Sequence, residues 1–173
     1  AVRSDRSSIH LILRKAGVSM KLFFAASEVA PFIKTGGLAD VAGSLPNALA
    51  KLGHDVRVIL PLYSAIPAMW RRQMTFLKSF HFPLSWRNAY CGLFSLAYQG
   101  LTYYFIDNEY YFQREGLYGQ FDDGERFAYF SKAVLEILPQ IGFFPDIIHA
   151  NDWHTALVPV YLDTQYRAVP GYG

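Results

Sequence analysis

Ser27-Glu28-Val29-Ala30-Pro31-Phe32-Ile33-Lys34-Thr35-Gly36-Gly37-Leu38-Ala39-Asp40-Val41 joins two segments of different periodicity. Upstream, residues 21–26 begin Lys21-Leu22-Phe23-Phe24, a short apolar run that predicts a buried strand. Downstream, Leu38, Val41, Leu45, Leu49 and Leu52 recur at helical spacing, and Gly53 stands where a helix ends. A strand, a loop with lysine and paired glycines, then a helix is a recurrent way to hold an anion. Gly36 and Gly37 let the backbone come close, and a helix start offers unpaired N–H groups and a positive dipole end. Lys34 adds a full charge against a phosphate. Asp40, in the first helical turn, is placed to accept hydrogen bonds from sugar hydroxyls. The loop is neither G-x-G-x-x-G nor G-x-x-x-x-G-K-[ST], so the familiar dinucleotide and triphosphate readings fail. On these residues alone, a surface turn with an exposed lysine fits as well as an anion site.

The rest of the chain extends an α/β pattern. Pro46 falls inside the first helical run, and Ala42 and Gly43 are small enough to relieve the crowding of its ring, so one helix is expected. Residues 55–61, with Val56, Val58, Ile59 and Leu60, predict a second buried strand, and hence a parallel, right-handed βαβ unit. Strand-like runs at 75–82, 89–98 and 101–106 come next, with Gln99-Gly100 as a hairpin turn, so antiparallel or extra edge strands are expected here. Residues 107–124 form a loop rich in Tyr, Gly and charge. Asp122 then caps a helix, with Glu125 completing a capping box. Phe127, Phe130, Val134 and Leu138 give that helix its buried stripe, with Arg126, Lys132 and Glu136 facing outward. Residues 145–150 make another short strand, and Trp153 opens a helix-like run to about residue 165. The expected fold is α/β: one Rossmann-like domain over 20–173, a mostly parallel sheet with helices on both faces.

Composition narrows the function classes. The chain has 173 residues, 52% hydrophobic and 17% charged, which describes a globular domain with a sizeable core. A net charge of +2 without a dense basic block gives no argument for nucleic acid. No apolar run approaches the roughly 20 residues of a membrane span. Cys91 is the only cysteine, so no internal disulfide forms, and a reducing cytoplasm or plastid stroma fits. Residues 1–19 differ in character from the α/β pattern, with Arg3, Arg6, Arg14, Lys15 and four serines against one acid, Asp5. They read as an extension: a tag or upstream translation, because Met20 directly precedes the first strand, or a transit-like remnant.

A second polar cluster, His149-Ala150-Asn151-Asp152-Trp153-His154, lies at the carboxyl end of the last predicted strand. Ligands of open α/β sheets bind at that edge, which also carries Lys34 and Asp40. As a metal site the cluster has no H-E-x-x-H spacing and no cysteine to assist. As a hydrolase triad it lacks the G-x-S-x-G elbow. As a set of sugar-hydroxyl or phosphate contacts it needs only donors and acceptors at fixed positions. Asp152 is expected to cap the next helix around a buried Trp153, and His154 to face a ligand.

The wording of these segments resembles one family. Ser-Glu-Val-Ala-Pro-Phe-x-Lys-Thr-Gly-Gly-Leu-Ala-Asp-Val is similar to the N-terminal signature of bacterial glycogen synthases and plant starch synthases. Asp146-Ile147-Ile148-His149-Ala150-Asn151-Asp152-Trp153-His154 resembles a second family segment, as do Tyr-Phe-x-Arg-x-Gly-Leu-Tyr-Gly and Glu-Arg-Phe-Ala-Tyr-Phe-Ser-Lys-Ala between them. The likeness spans roughly 20–165. It implies the N-terminal half of a GT-B fold, two Rossmann-like domains facing across a cleft. It also implies a retaining transferase moving glucose from ADP-glucose to the non-reducing end of an α-1,4-glucan, with no metal or other cofactor. By the motif match, Lys34, Thr35, Gly36 and Gly37 meet the donor phosphates. Asp40, Tyr118 and His154 line the sugar side, with His154 and Asp40 as the catalytic candidates, and Asp152 is counted with the substrate-binding residues. The family's next cleft motif and its C-terminal domain lie beyond Gly173, so the chain alone is expected to be inactive. The rival expectation is a non-catalytic glucan-binding module made from the same half-fold.

Overall fold

The computed structural model describes residues 19–172; the expectations for the N-terminal extension fall outside the described residues, Ser19 apart. Strand β1 (Lys21–Ala25) buries Leu22, Phe23, Phe24 and Ala25 in succession, without the alternation of a one-sided strand. That pattern belongs to a parallel strand covered on both faces. β2 (Asp55–Pro61) repeats it with Val58, Ile59 and Leu60. β3 (Thr75–Leu84), β4 (Arg87–Tyr98), β5 (Leu101–Asp107) and β6 (Ile147–Ala150) complete one six-stranded sheet in the order β3-β4-β5-β2-β1-β6. β6, β1, β2 and β5 are mutually parallel, and the β3–β4 hairpin adds an antiparallel extension at one edge.

This order creates a switch point. The first connection, through helix α1 (Gly37–Lys51), carries the chain from β1 to β2 on one side. The last, through α4 (Asp123–Gln140), carries it from β5 back across to β6 on the other side of β1. Two right-handed crossovers running in opposite senses put their helices on opposite faces of the sheet. The carboxyl ends of β1 and β6 therefore emerge side by side, Ala25 paired with Ala150. Three one-turn or short helices fill the remainder: α2 (Ala68–Arg71), α3 (Glu109–Phe112) and α5 (Leu157–Tyr161).

Several local expectations change. α1 is one helix with Pro46 inside, but it turns Ala39, Ala42 and Pro46 to the core, while Leu38 and Leu45 are half-buried and Val41 is exposed. Gly43 has a different use from relieving Pro46. A Cβ there would stand 2.6 Å from the Ala30 carbonyl oxygen, so the helix packs backbone-close on the loop after β1. Gln99 and Gly100, at φ 48° and 80°, make the expected hairpin turn. The β3–β4 connection shortens to a tight turn at Ser85-Trp86, with Ser85 at φ 55°.

α4 departs most. Arg126 is fully buried rather than outward-facing, and Lys132 is buried against Gln165 at 2.9 Å, because the 109–121 segment and the C-terminal turns cover the side of the helix that faces away from the sheet. Arg126 donates to the carbonyls of Tyr111 (2.8 Å) and Leu117 (3.2 Å) and to Asp123 (2.5 Å). The capping box does not form. Asp122 sits at the cap position but is taken by Arg114 (2.6 and 2.9 Å), Glu125 by Arg87 and Tyr111, and Asp123 receives the N–H groups of Gly119 and Gln120 instead. The final run is broken into a 3-10 turn (Trp153–Thr155), α5 and a π turn (Leu162–Tyr166).

Gly43→Ala tests the close packing of α1. The methyl must push on backbone rather than on a flexible side chain, so despite alanine's better helix propensity the variant should lose about 1–3 kcal/mol of unfolding free energy in a urea titration.

Candidate functional site

The carboxyl end of β1 gives the site its frame. Ser27 and Glu28 come just after the strand, and both are buried, 0% and 3% exposed. Ser27 Oγ lies 2.8 Å from Tyr118 Oη. Glu28 Oε2 accepts from Thr35 twice, from the backbone N–H at 2.5 Å and from Oγ1 at 2.9 Å. Two neighbouring residues thus tie the β1 end to both predicted halves of the site: the 34–37 loop on one side, and Tyr118 with the 152–154 turn on the other. Sequence reasoning assigned no role to Glu28 or Ser27. The signal was two polar residues placed directly after the apolar run of residues 22–26.

On the loop side, Lys34 and Asp40 hold each other. Lys34 Nζ donates to both carboxylate oxygens at 2.7 Å. The side chains are 54% and 58% exposed, so the pair contributes about 1 kcal/mol or less and opens readily for a ligand. Gly36 is the N-cap in extended conformation, with no side chain capping the helix. Among the described residues, nothing outside its chain neighbours and its own helix backbone lies within 4 Å of a Cβ placed on Gly37, and one on Gly36 would meet only Glu28 Oε1 at 3.7 Å. The fold itself does not require these two glycines. Their smallness leaves the first turn of α1 open from outside.

On the other side, the turn after β6 is fixed from below. Asn151 Nδ2 donates to the carbonyls of Ala25 (2.9 Å) and His149 (3.0 Å), and Thr155 Oγ1 donates to the Asn151 carbonyl (2.9 Å). Asp152 caps the 3-10 turn as expected, its carboxylate accepting the Trp153 N–H at 2.6 Å. It does so at φ 64°, ψ 179°, a conformation costly for a residue with a side chain. Trp153 is half-exposed rather than buried, edge-on to Phe127 at 4.9 Å, because this backbone geometry rolls the turn outward. His154 goes inward. Its ring packs against Tyr118 at 4.5 Å and Phe127 at 4.7 Å, and neither ring nitrogen has a partner among the described residues. His149 is held in the sheet instead, stacked on Phe24 at 4.5 Å.

The electrostatics reflect this burial. Desolvation lowers the His154 imidazole from its ordinary 6.5, against the opposing pull of Asp152, Glu28 and Asp123. The ring is neutral at pH 7, one nitrogen a donor and the other an acceptor. Burial pushes the Tyr118 hydroxyl up to about 12, so it too is neutral. Tyr63 Oη, Arg126 Nη2 and His149 Nδ1 are further buried atoms without a partner among the described residues. No three His, Cys, Asp or Glu side chains among the described residues are grouped to hold a metal ion. No described helix is long and apolar enough to cross a membrane.

The family described as "Starch synthase catalytic domain" matches residues 21–172. The chain belongs to the starch synthase catalytic domain family. Among curated relatives of this family, the glycogen synthase of Desulforamulus reducens is 59% identical over 153 residues, which is 88% of this chain and 32% of the relative. That of Clostridium kluyveri is 58% identical over 148 residues, 86% of this chain and 31% of the relative. The chain spans about a third of the length of these relatives. A solved starch synthase family structure, the catalytic domain of Starch Synthase IV from Arabidopsis thaliana bound to ADP and acarbose, superposes with a TM-score of 0.77 at 35% identity. It covers 86% of this chain and 31% of that one. The Rossmann-like half-fold and the family signature thus agree.

His154 makes stability depend on pH. The unfolded imidazole takes a proton near 6.5, whereas the folded one does so only at lower pH. Stability from this group is complete above the unfolded value and is lost as pH falls through the folded one. Melting temperature should therefore drop as pH is lowered below about 6.5, and His154→Gln should flatten that drop; equal slopes for both proteins would contradict the buried neutral ring.

Proposed function

We propose that this chain forms the N-terminal part of a retaining glucosyltransferase that moves glucose from ADP-glucose to the non-reducing end of an α-1,4-glucan. The observation that carries the reading is the pairing, at one sheet edge, of an open glycine-fronted helix start with a buried imidazole whose two nitrogens have no described partner. The first suits a diphosphate and the second suits a sugar hydroxyl. The complex of the Arabidopsis relative with ADP and acarbose supports both ligand classes.

The geometry supports the following roles. A diphosphate seated over Gly36 and Gly37 meets the first N–H groups of α1, which have no partner within the helix. Lys34 swings from Asp40 to the phosphate, where its charge stabilises the departing diphosphate as the glycosidic bond breaks. Asp40, released from the lysine, accepts from a sugar hydroxyl. Neutral His154 has the same choice of donating or accepting. Tyr118 walls that side, and Asp152 holds the turn that aims His154. The reading requires no metal and no other cofactor. In this reading domain 20–173 supplies one wall of the cleft, and a second domain supplies the other. A cytoplasmic or plastid-stroma location goes with this reading.

Incorporation of glucose from ADP-glucose into glycogen tests it. A two-domain protein carrying these residues should be active, Lys34→Ala in it should lower kcat/KM by about two orders of magnitude, and the 173-residue chain alone should be inactive. Robust transfer by the isolated chain, or glucan binding indifferent to nucleotide, would contradict the reading; the second result would leave a glucan-binding module. Gly37→Ala separates fold from site. Unfolding free energy should stay within about 0.5 kcal/mol, since the methyl meets open space, while ADP affinity measured by calorimetry should fall several-fold.

A further inference from the structure

We propose that Glu28 is the positioning residue of the 34–37 loop, holding it through Thr35 in the shape that receives the donor diphosphate. The assignment rests on the donor reading above. Charge alone would keep a carboxylate away from an anion's seat, so a buried one beneath the loop needs a geometric reason. Its bonds supply one. Oε2 takes both donors of a single exposed residue, the Thr35 N–H and hydroxyl. Charge-assisted bonds of this kind are the strong ones. Of the backbone N–H groups at 34–36, Thr35's alone is anchored among the described residues, and Glu28 anchors it.

The residues around this bond are already fixed. Ala30 N–H donates to the Ala39 carbonyl at 3.0 Å, and the 29–33 turn closes on Val29 through Phe32 and Ile33, each at 3.0 Å. Between Ile33 and α1, the loop of Lys34, Thr35 and Gly36 has glycine freedom at one end and an exposed ion pair at the other. Without Glu28 it would sample many conformations, and a ligand would have to order it on binding. With Glu28 the loop is preorganised. The bond commits the Thr35 N–H to the protein and leaves those of Lys34 and Gly36 without a partner among the described residues.

The test uses the 173-residue chain and ADP as the probe. In the wild type, the Thr35 amide should exchange slowly with deuterated solvent although the residue itself is exposed. In calorimetric titrations, Glu28→Ala should weaken ADP binding about tenfold or more. Glu28→Gln, which keeps an oxygen for Thr35, should restore it to within about threefold of wild type. Thr35→Val should cost a smaller factor, and the Glu28→Ala, Thr35→Val pair should bind no worse than Glu28→Ala alone, as expected when one residue acts through the other. An unprotected Thr35 amide in the wild type overturns the proposal even if Glu28→Ala fails to fold. Additive losses, or an effect of Glu28→Ala below twofold, overturn it as well. A protected Thr35 amide with no ADP binding by the wild type overturns the donor reading, and with it the purpose assigned to the clamp.

Discussion

Everything at this site depends on how one buried strand ends. β1 runs as four consecutive buried apolar residues and then meets Ser27 and Glu28, whose polar groups are equally buried and must be satisfied inside the protein. Ser27 takes Tyr118, and Glu28 takes Thr35. Leaving either group unmade would cost far more than the bond itself contributes, so the two loops are held in place by the penalty for releasing them. The exposed Lys34–Asp40 pair carries no such penalty. The frame of the site is rigid and its charges are free to change partners.

Sheet order explains why that strand end matters. β1 lies between β2, reached through the first crossover, and β6, reached through the last, so residues more than a hundred positions apart leave the sheet at neighbouring points. Asn151 reinforces the junction by bonding to the Ala25 carbonyl through both its backbone N–H, at 3.1 Å, and its side chain. The glycine loop and the histidine turn are then linked through the strand end: Glu28 holds Thr35, Ser27 meets Tyr118, and the Tyr118 ring packs on His154.

Much of the fold was legible because its strands are buried on both faces and its helices are amphipathic. The uninterrupted apolar runs at Leu22–Ala25 and Val58–Leu60 announce parallel strands, and Gln99-Gly100 announces a hairpin. The positions of Lys34, Asp40 and His154 at one edge come from the same pattern. What the sequence hid were tertiary effects. Arg126 and Lys132 look like solvent-facing helix residues until the covering 109–121 segment and C-terminal turns are in place. The Leu38–Leu52 stripe looks like the buried face of α1, yet backbone contact at Gly43 makes the small residues the inner face. Trp153 looks like core until the positive φ of Asp152 turns it outward. Glu28 was invisible for another reason: its role is a bond to Thr35, and no periodicity marks a bond.

An NMR titration of this chain with ADP-glucose, tracking backbone amides, reads both sides of the β1 end at once. Shifts that develop together at Thr35–Leu38 and at Asp152–His154 are the predicted result, since one ligand should touch both walls of the opening. Shifts confined to one wall, or lying away from the carboxyl end of β1, would contradict the account.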